Sequence, residues 1–375
     1  MLLPFLNYGL LTIFDECRDR VVVYAMSEVR FIDRVEEIRA LRGWCSSFRY
    51  VPLYLYGPEG CGKTRLLREL VKRFDELMGG DSIAIYVDAL EGRDIGRALM
   101  TSGVLAKSVD IAKLGLRVVS DLIARNIPVG QALSQSLSLI VDEVARRVYG
   151  RVLHDKYVLI VVDDVTRAVG LDKIEWYVKW VFELMNKLQE EYRPRAINVI
   201  VSTSEGLSLD LISRHRHASI KLLWNLSREA FKELFTELKP PQDLDFEEVW
   251  RLLGGNPGKL VELATWHQWS LNRMIEEYRV RLFKHLSEVK ERGLINELKM
   301  LVDDITEAEE VHSREMRNLI RLLEEKNLVI YKYWTTLTGK EFKKPNPELG
   351  IGRYYAWQTP LYREILREIV SQALS

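Results

Sequence analysis

One short segment, GPEGCGKT at residues 57–64, has the residue types and the spacing that suit the binding of phosphate groups. Its glycines permit positive φ angles and close approach, so successive backbone N–H groups can point into one concavity that attracts an anion. At the spacing G-x-x-x-x-G-K-T, Lys63 reaches the β- and γ-phosphates of a nucleotide, and the Thr64 hydroxyl binds Mg²⁺. The segment predicts a phosphate-binding loop (the P-loop, residues 57–64), and the predicted nucleotide-binding residues are Gly57, Pro58, Glu59, Gly60, Cys61, Gly62, Lys63, Thr64 and Arg65.

A pair of aspartates supplies the acidic groups that nucleotide hydrolysis also needs. The run YVLIVVDDV, residues 157–165, is typical of a buried strand and carries Asp163 and Asp164 near its end. Asp163 is the candidate Mg²⁺ ligand beside Thr64, and Asp164 is the candidate catalytic base that orients the attacking water. Lys63 is the other candidate catalytic residue, because it neutralises the β- and γ-phosphates. Asp164 is one methylene shorter than the glutamate that is more usual there in fast hydrolases, so we expect slow turnover. The alternative is an aspartate pair that only caps the next helix.

The elements that must position these residues can be read from the apolar pattern. Leu53–Tyr56 before the P-loop is a predicted strand, and the apolar residues from Leu66 to Phe74 lie at helical spacing. Further strands are predicted at 82–90, 157–165, 196–206 and 219–223, whereas residues 95–149 are predicted to form several helices rather than a strand. The fold class is therefore α/β, a parallel P-loop NTPase sheet with helices on both faces. Ser202, Thr203 and Ser204 stand at the end of the predicted strand 196–206 and either contact the γ-phosphate or form a plain polar loop.

Two smaller modules are predicted after the sheet. Residues 223–285 show helical periodicity only, with Ser227 as a helix cap, which suits an all-helical lid that closes over a nucleotide. From about residue 286 the order helix, helix, helix, hairpin predicts a C-terminal winged helix. Its third helix mixes basic and acidic side chains, and the best basic patch is Lys340, Lys343 and Lys344. We expect this module to dock a protein or regulate the lid, with DNA contact as the less favoured alternative.

The predicted boundaries are an N-terminal extension at 1–26, the P-loop ATPase α/β domain at 27–222, the lid at 223–285 and the winged helix at 286–375. The first residues are apolar, but they lack a basic leader and a small-residue cleavage site, so we do not expect a signal peptide. They either dock on the body as a strand or helix, or precede a natural start at Met26.

Composition narrows the class of protein. The 375 residues carry 54 basic and 54 acidic side chains, so the overall charge gives no argument for a nucleic-acid partner. Three widely spaced cysteines indicate neither a disulfide framework nor a zinc site, and no apolar run is long enough for a membrane span. We expect a cytoplasmic protein. No N-K-x-D pattern stands where a GTPase would carry one, so ATP is the expected nucleotide.

Four segments together resemble the archaeal ATPases of the STAND branch of AAA+ P-loop NTPases, relatives of the origin-recognition ATPases. They are FIDRVEEIRAL, GPEGCGKT, LIVVDD and LLGGNPGKLVEL. The resemblance implies ATP and Mg²⁺ as ligands, Pro257 near the adenine and ribose, and nucleotide-dependent self-association with Arg214 or Arg216 as an arginine finger. The sequence departs from the family pattern in the lid, where it offers only Lys259 in place of the usual sensor arginine.

Three functions remain open from the sequence. The favoured one is a slow, Mg²⁺-dependent ATPase that acts as a nucleotide-controlled molecular switch on a protein partner. The second is a DNA-binding, origin-recognition-like ATPase that uses the winged helix. The third is a nucleotide-binding scaffold without appreciable hydrolysis.

Overall fold

The computed structural model describes residues 29–103, 127–137, 139–140, 153–204, 206–342 and 344–374, with four single positions at 113, 117, 120 and 125. The predicted N-terminal extension 1–26, most of the helices expected between 104 and 149, and Lys343 lie outside the described residues.

A six-stranded sheet forms the centre of the region from residue 29 to residue 222. Its strands are β1 (Leu53–Tyr56), β2 (Ser82–Asp88), β3 (Leu99–Gly103), β4 (Tyr157–Asp163), β5 (Ala196–Thr203) and β6 (Ser219–Leu222). They lie in the order β3-β2-β4-β5-β1-β6, and every neighbouring pair is parallel except β2 and β3. The predicted α/β class with a mostly parallel sheet is confirmed. The carboxyl ends of β1, β4 and β5 meet at one edge, where the P-loop begins.

The prediction that residues 95–149 form helices and no strand was wrong at β3. The chain makes only a four-residue helix, α3 (Ile95–Ala98), before Leu99–Gly103 pairs antiparallel with β2. Five residues with a polar centre are too short to show a strand period, and the free edge of β2 supplies the backbone partners that decide the conformation.

Helices cover both faces of the sheet. They are α1 (Val35–Cys45), α2 (Lys63–Leu77), α4 (Val129–Gln135), α5 (Val165–Val169), α6 (Ile174–Tyr192) and α7 (Gly206–Ser213). Alternate strand residues divide between two cores: Leu53 and Leu55 pack with α1 and α2, whereas Tyr54 and Tyr56 pack with α6 on the other face. This alternation places α2, and the P-loop at its amino end, firmly against the sheet.

The helical region that follows consists of α8 (Arg228–Glu237), α9 (Phe246–Leu253), α10 (Pro257–Thr265) and α11 (Leu271–Glu291). Ser227 caps α8 by accepting from Ala230 N at 3.2 Å, as predicted. Helix α10 begins at Pro257, because the Asn256 side chain accepts from Lys259 N at 3.0 Å and caps the first turn.

The C-terminal module (residues 295–374) contains α12 (Ile295–Asp303), α13 (Ile305–Glu309), α14 (Arg314–Glu325), β7 (Val329–Tyr331), β8 (Tyr355–Trp357) and α15 (Pro360–Leu374). Strands β7 and β8 pair antiparallel, so the expected order of three helices and a hairpin is present. Helix α15 was not predicted. The module shares one apolar core with the helical region, in which Leu361 and Ile365 of α15 pack near Met274 and Leu282 of α11.

The chain between β7 and β8 crosses to the ATPase sheet. Leu222 at the end of β6 donates to Thr335 O at 3.0 Å and accepts from Leu337 N at 2.9 Å. Nearby, Phe342 packs edge-on against Trp224 with ring centroids 4.7 Å apart. Residues 335–337 therefore extend the sheet at its β6 edge and hold the C-terminal module on the ATPase domain. Within the described residues, none of the helices has the length and apolar character needed to cross a membrane.

Candidate functional site

The P-loop connects β1 to the amino end of α2, as the motif predicts. Gly60 and Gly62 have φ angles of 81° and 98°, which favour glycine. At Gly57 the constraint is space, because a Cβ atom there would lie 2.0 Å from Leu223 O. The backbone of the loop is thus shaped by its glycines into the turn that an anion nest requires.

Lys63 is the buried cation of the loop. Its side chain is 6% exposed, and Nζ donates to Gly57 O at 2.8 Å and to Pro58 O at 3.0 Å. These carbonyls belong to the P-loop itself, so the loop holds its positive charge at the place where phosphate oxygens would compete for it.

Asp163 ends β4 and is 1% exposed. Tyr86 OH, from β2, donates to Oδ2 at 2.6 Å, and the Ser202 hydroxyl, from β5, donates to Oδ1. The neighbouring strands on both sides therefore orient the carboxylate. Tyr86 and Ser202 were not predicted in this role, because only the strand order β2-β4-β5 brings them to Asp163.

Asp164 follows in the left-handed conformation with φ 51°, and its N–H donates to Ser202 Oγ at 3.0 Å. Burial and the adjacent Asp163 charge raise the pKa of its carboxyl to about 7, although the charges of Lys63 and Arg167 oppose the shift. A carboxyl group with such a pKa exchanges protons readily near neutral pH, which is the property of a general base or acid.

A cleft of about 420 Å³ joins these residues to the helical region. The P-loop side contributes Glu59, Gly60, Gly62, Lys63, Thr64, Arg65 and Arg68, and the sheet edge contributes Asp164, Arg167 and Ser204. The helical region contributes Gly258, Lys259, Glu262, Trp266, Tyr278 and Arg281. The structure thus brings together Lys63, Thr64 and Asp164 in the cleft, whereas Asp163, adjacent to Asp164 in the chain, is buried and does not line it. Gly57, Pro58 and Cys61 do not line the cleft, and Gly57 lies beside Leu223.

The donors at this site fit Mg²⁺ better than a softer metal. Thr64 offers a hydroxyl and Asp163 a carboxylate, the oxygen ligands that Mg²⁺ takes beside phosphates and water. Among the described ranges of the chain, no three His, Cys, Asp or Glu side chains cluster as an all-protein metal cage would need.

A second, apolar pocket lies on the other side of the P-loop. Pro257 lines it with Cys61, Gly62 and Arg65, and its apolar walls are Val29, Phe31, Ile32, Leu226, Leu234 and Val261. Apolar surfaces of this kind suit a flat base, next to a loop shaped for phosphates. Apart from Pro257, these wall residues were not predicted. Only Phe31 and Ile32 belong to a segment that the sequence singles out, FIDRVEEIRAL, and its residue types alone do not show which pocket they enter.

The other predicted polar residues have different surroundings. Of Ser202, Thr203 and Ser204 at the end of β5, only Ser204 lines the cleft. Thr203 Oγ1 instead forms hydrogen bonds with Thr166 Oγ1 at 3.0 Å and with Ser208 Oγ at 2.8 Å. Lys259 Nζ lies 2.9 Å from Glu262 Oε2 and over the Tyr278 ring, so Glu262 compensates its charge within the cleft. Arg214 is exposed, 3.6 Å from Glu175, and outside the cleft. Its role as an arginine finger stays a prediction.

One family model and several solved structures match this chain. The chain is similar in structure to the Aeropyrum pernix ORC2 protein solved as ADPNP-ADP complexes, with 14% identity, TM-score 0.41, and coverage of 92% of this chain and 95% of that one. It is also similar to the replication initiator DnaA bound to AMPPCP and single-stranded DNA, with 17% identity, TM-score 0.36, and 72% of each chain covered. No curated protein matches by sequence. A family model described as an ATPase domain predominantly from Archaea matches residues 31–263, well over half of the chain. This match confirms the resemblance drawn from the motifs: the protein belongs to that archaeal ATPase family.

Proposed function

We propose that the protein is a Mg²⁺-dependent ATPase with slow turnover that acts as a nucleotide-controlled molecular switch. The observation that carries the proposal is the cleft itself, since Lys63 and Thr64 of the P-loop, Asp164 after β4 and Lys259 of the helical region line one space. A nucleotide bound there would touch both the sheet and the helices that cover it.

The roles of the residues follow from their positions. Lys63 would exchange its two loop carbonyls for the β- and γ-phosphate oxygens, a stronger, charge-assisted contact. Thr64 and Asp163 would hold Mg²⁺, which neutralises phosphate charge when bound. Asp164 would orient and deprotonate the attacking water. The apolar pocket around Phe31, Pro257 and Val261 would take the adenine.

The switch is supported by direct contact between the helical region and the P-loop. Gly258 N donates to Gly60 O at 2.9 Å, and Asn256 Nδ2 donates to Glu59 O at 2.8 Å. Because α10 lies on the loop that would bind the phosphates, its position would depend on the nucleotide. The C-terminal module shares a core with these helices and would transmit the change to a protein partner.

A DNA-binding ATPase is the second candidate. The observation in its favour is an exposed pair of rings, Tyr333 and Tyr354, 5.3 Å apart, with Arg353 over Tyr354. Rings and arginine in this arrangement can stack on bases. Against it, Lys340 of the predicted basic patch lies 2.5 Å from Glu36, which offsets its charge.

Phosphate release with ATP and Mg²⁺ tests the proposal in the wild type, in Asp164→Asn and in the control Asp243→Asn, whose aspartate lies in an exposed turn outside the cleft. We expect slow release that Asp164→Asn reduces by about 100-fold or more, the usual contribution of a general base, with the control unchanged.

Duplex DNA is added in a parallel series. Turnover that is indifferent to DNA supports a protein switch, whereas turnover raised by DNA favours the second candidate. A wild type that binds ATP tightly and releases no phosphate would be a scaffold, and the proposed activity would be wrong.

A further inference from the structure

Glu59 of the P-loop is held by three distant parts of the chain. Its backbone N–H donates to Gln358 Oε1 at 2.8 Å, and its carbonyl accepts from Asn256 Nδ2 at 2.8 Å. Its carboxylate lies 3.3 Å from Arg167, which follows β4. The C-terminal module, the helical region and the segment after Asp164 therefore meet at one variable position of the motif.

Gln358 is itself fixed in place. Its side chain is almost wholly buried, its N–H donates to Leu328 O at 3.0 Å, and its carbonyl accepts from Asn225 Nδ2 at 3.1 Å. The next residue, Thr359, donates to Leu253 O at 3.2 Å. With its backbone tied to the start of β7 and to the helical region, the Gln358 side chain reaches Glu59 only when the C-terminal module sits where the structure has it.

Gln358 and the candidate catalytic Lys63 form hydrogen bonds to the same peptide group of the P-loop. Lys63 Nζ donates to Pro58 O, and Gln358 accepts from Glu59 N. The Pro58 carbonyl and the Glu59 N–H belong to one planar unit, so they turn together. A cation at the carbonyl also polarises the N–H and strengthens the hydrogen bond that it donates. Lys63 and Gln358 thus hold the two ends of the same rigid group.

A bound nucleotide would disturb this arrangement from two sides. Phosphate oxygens compete with Pro58 O for Lys63, which removes the polarising cation and one anchor of the peptide plane. They also compete with Glu59 for Arg167, which lines the cleft. The Glu59 and Arg167 side chains are 51% and 38% exposed, and ion pairs of such exposure are weak.

We propose that the Pro58–Glu59 peptide group couples the nucleotide site to the C-terminal module. Gln358 is the positioning residue that links this peptide group to the module, through the hydrogen bond that it accepts from Glu59 N. Phosphates that draw Lys63 away from Pro58 weaken the Gln358 contact and loosen the module. This proposal rests on the proposed nucleotide binding and adds the path and the direction of the response.

Backbone hydrogen exchange of β7, β8 and residues 335–337 tests the coupling, with and without AMPPNP and Mg²⁺, while nucleotide affinity is measured on the same samples. In the wild type, nucleotide should speed exchange at these segments by about fivefold or more, the effect of losing roughly one net hydrogen bond. The Gln358→Met variant is close in shape but has only a weakly accepting thioether in place of the amide oxygen. The same segments of this variant should exchange fast already without nucleotide and respond no further.

Two controls separate the contact from general damage to the fold. Gln358→Glu keeps an acceptor of the same length and should retain the nucleotide response, and Gln242→Met, in an exposed turn, should behave as the wild type. A wild type that binds nucleotide with unchanged exchange, or a Gln358→Met protein with the full response, overturns the coupling alone. A wild type that binds no nucleotide overturns the proposed function as well.

Discussion

The two ends of the P-loop are positioned in different ways. The end that continues into α2 is organised locally, since Lys63 bonds to carbonyls only five and six residues away. The other end is held by Asn256 and Gln358, which are 197 and 299 residues distant from Glu59. The motif therefore carries the chemistry of the loop, whereas the tertiary fold decides which parts of the molecule respond to it.

The largest effect is expected at the local end. Lys63→Ala removes the cation of the phosphate site and should weaken ATP binding by about 100-fold or more, since charge-assisted contacts to phosphate are the strong ones. Titration calorimetry measures the affinity, and Lys72→Ala, at an exposed position of the same helix, is the matched control. Unchanged affinity in Lys63→Ala would show that the P-loop is not the nucleotide site.

Gly258→Ala tests the distant end through shape alone. The added Cβ would lie 2.8 Å from Gly60 Cα and 3.0 Å from Gly60 O, so α10 must move off the loop. We expect a loss of about 1–3 kcal/mol in the free energy of unfolding, typical of overpacking, and weaker nucleotide binding. Gly43→Ala, inside α1 with open space around it, should instead stabilise the protein slightly. Equal behaviour of the two variants in chemical denaturation would contradict the close contact.

Comparing Asn256→Ala with Ser227→Ala distinguishes the stability contributed by a helix cap from that contributed by the contact with the P-loop. The side chain caps α10 and also holds Glu59 O, whereas Ser227 caps α8 without touching the P-loop. Both alanine variants should lose roughly 1 kcal/mol for the cap, and Asn256→Ala should lose about 1 kcal/mol more for the second hydrogen bond. Urea denaturation measures both. Equal losses would mean that the contact with Glu59 contributes nothing to stability.

The smallest effect concerns the contact between α14 and α7. Burial and the Asp210 charge raise the pKa of Glu324 to about 8 from its usual 4.5, with Arg321 opposing and Glu325 adding to the shift. Between these pH values the folded protein holds a proton that the unfolded chain has lost, so stability falls as pH rises from about 4.5 to 8 and then levels off.

Glu324→Gln should therefore stabilise the protein by on the order of 1–2 kcal/mol at pH 8 and by almost nothing at pH 5. Thermal unfolding at the two pH values measures the difference. Glu315→Gln, at an exposed position of the same helix, should show the same small change at both. A Glu324→Gln effect independent of pH would mean that this carboxyl group ionises normally.

The sequence predicted what depends on neighbours along the chain. Long β-branched runs predicted β2, β4 and β5 to within a few residues. The two motifs pointed to Lys63, Thr64, Asp163 and Asp164, whose roles stay predictions. Strand β3 was not predicted, because five residues are too few to show the alternation of a strand. Helix α15 was not predicted either, although Leu361, Ile365 and Ile369 repeat at helical spacing. The contacts of Tyr86 and Ser202 with Asp163, and of Gln358 with Glu59, could not be predicted, because they depend on sheet order and domain docking rather than on local residue spacing.

The extension of the sheet by residues 335–337 bears on how the chain is made. β6 is an edge strand, and 114 residues separate Lys221 from Thr335. A nascent chain folds its first domain before the later segments leave the ribosome. The β6 edge of the newly made sheet is therefore uncovered until residues 335–337 are synthesised. Uncovered sheet edges are templates for pairing with other chains. We expect the interval between synthesis of β6 and of residues 335–337 to be the period when chaperone protection matters most.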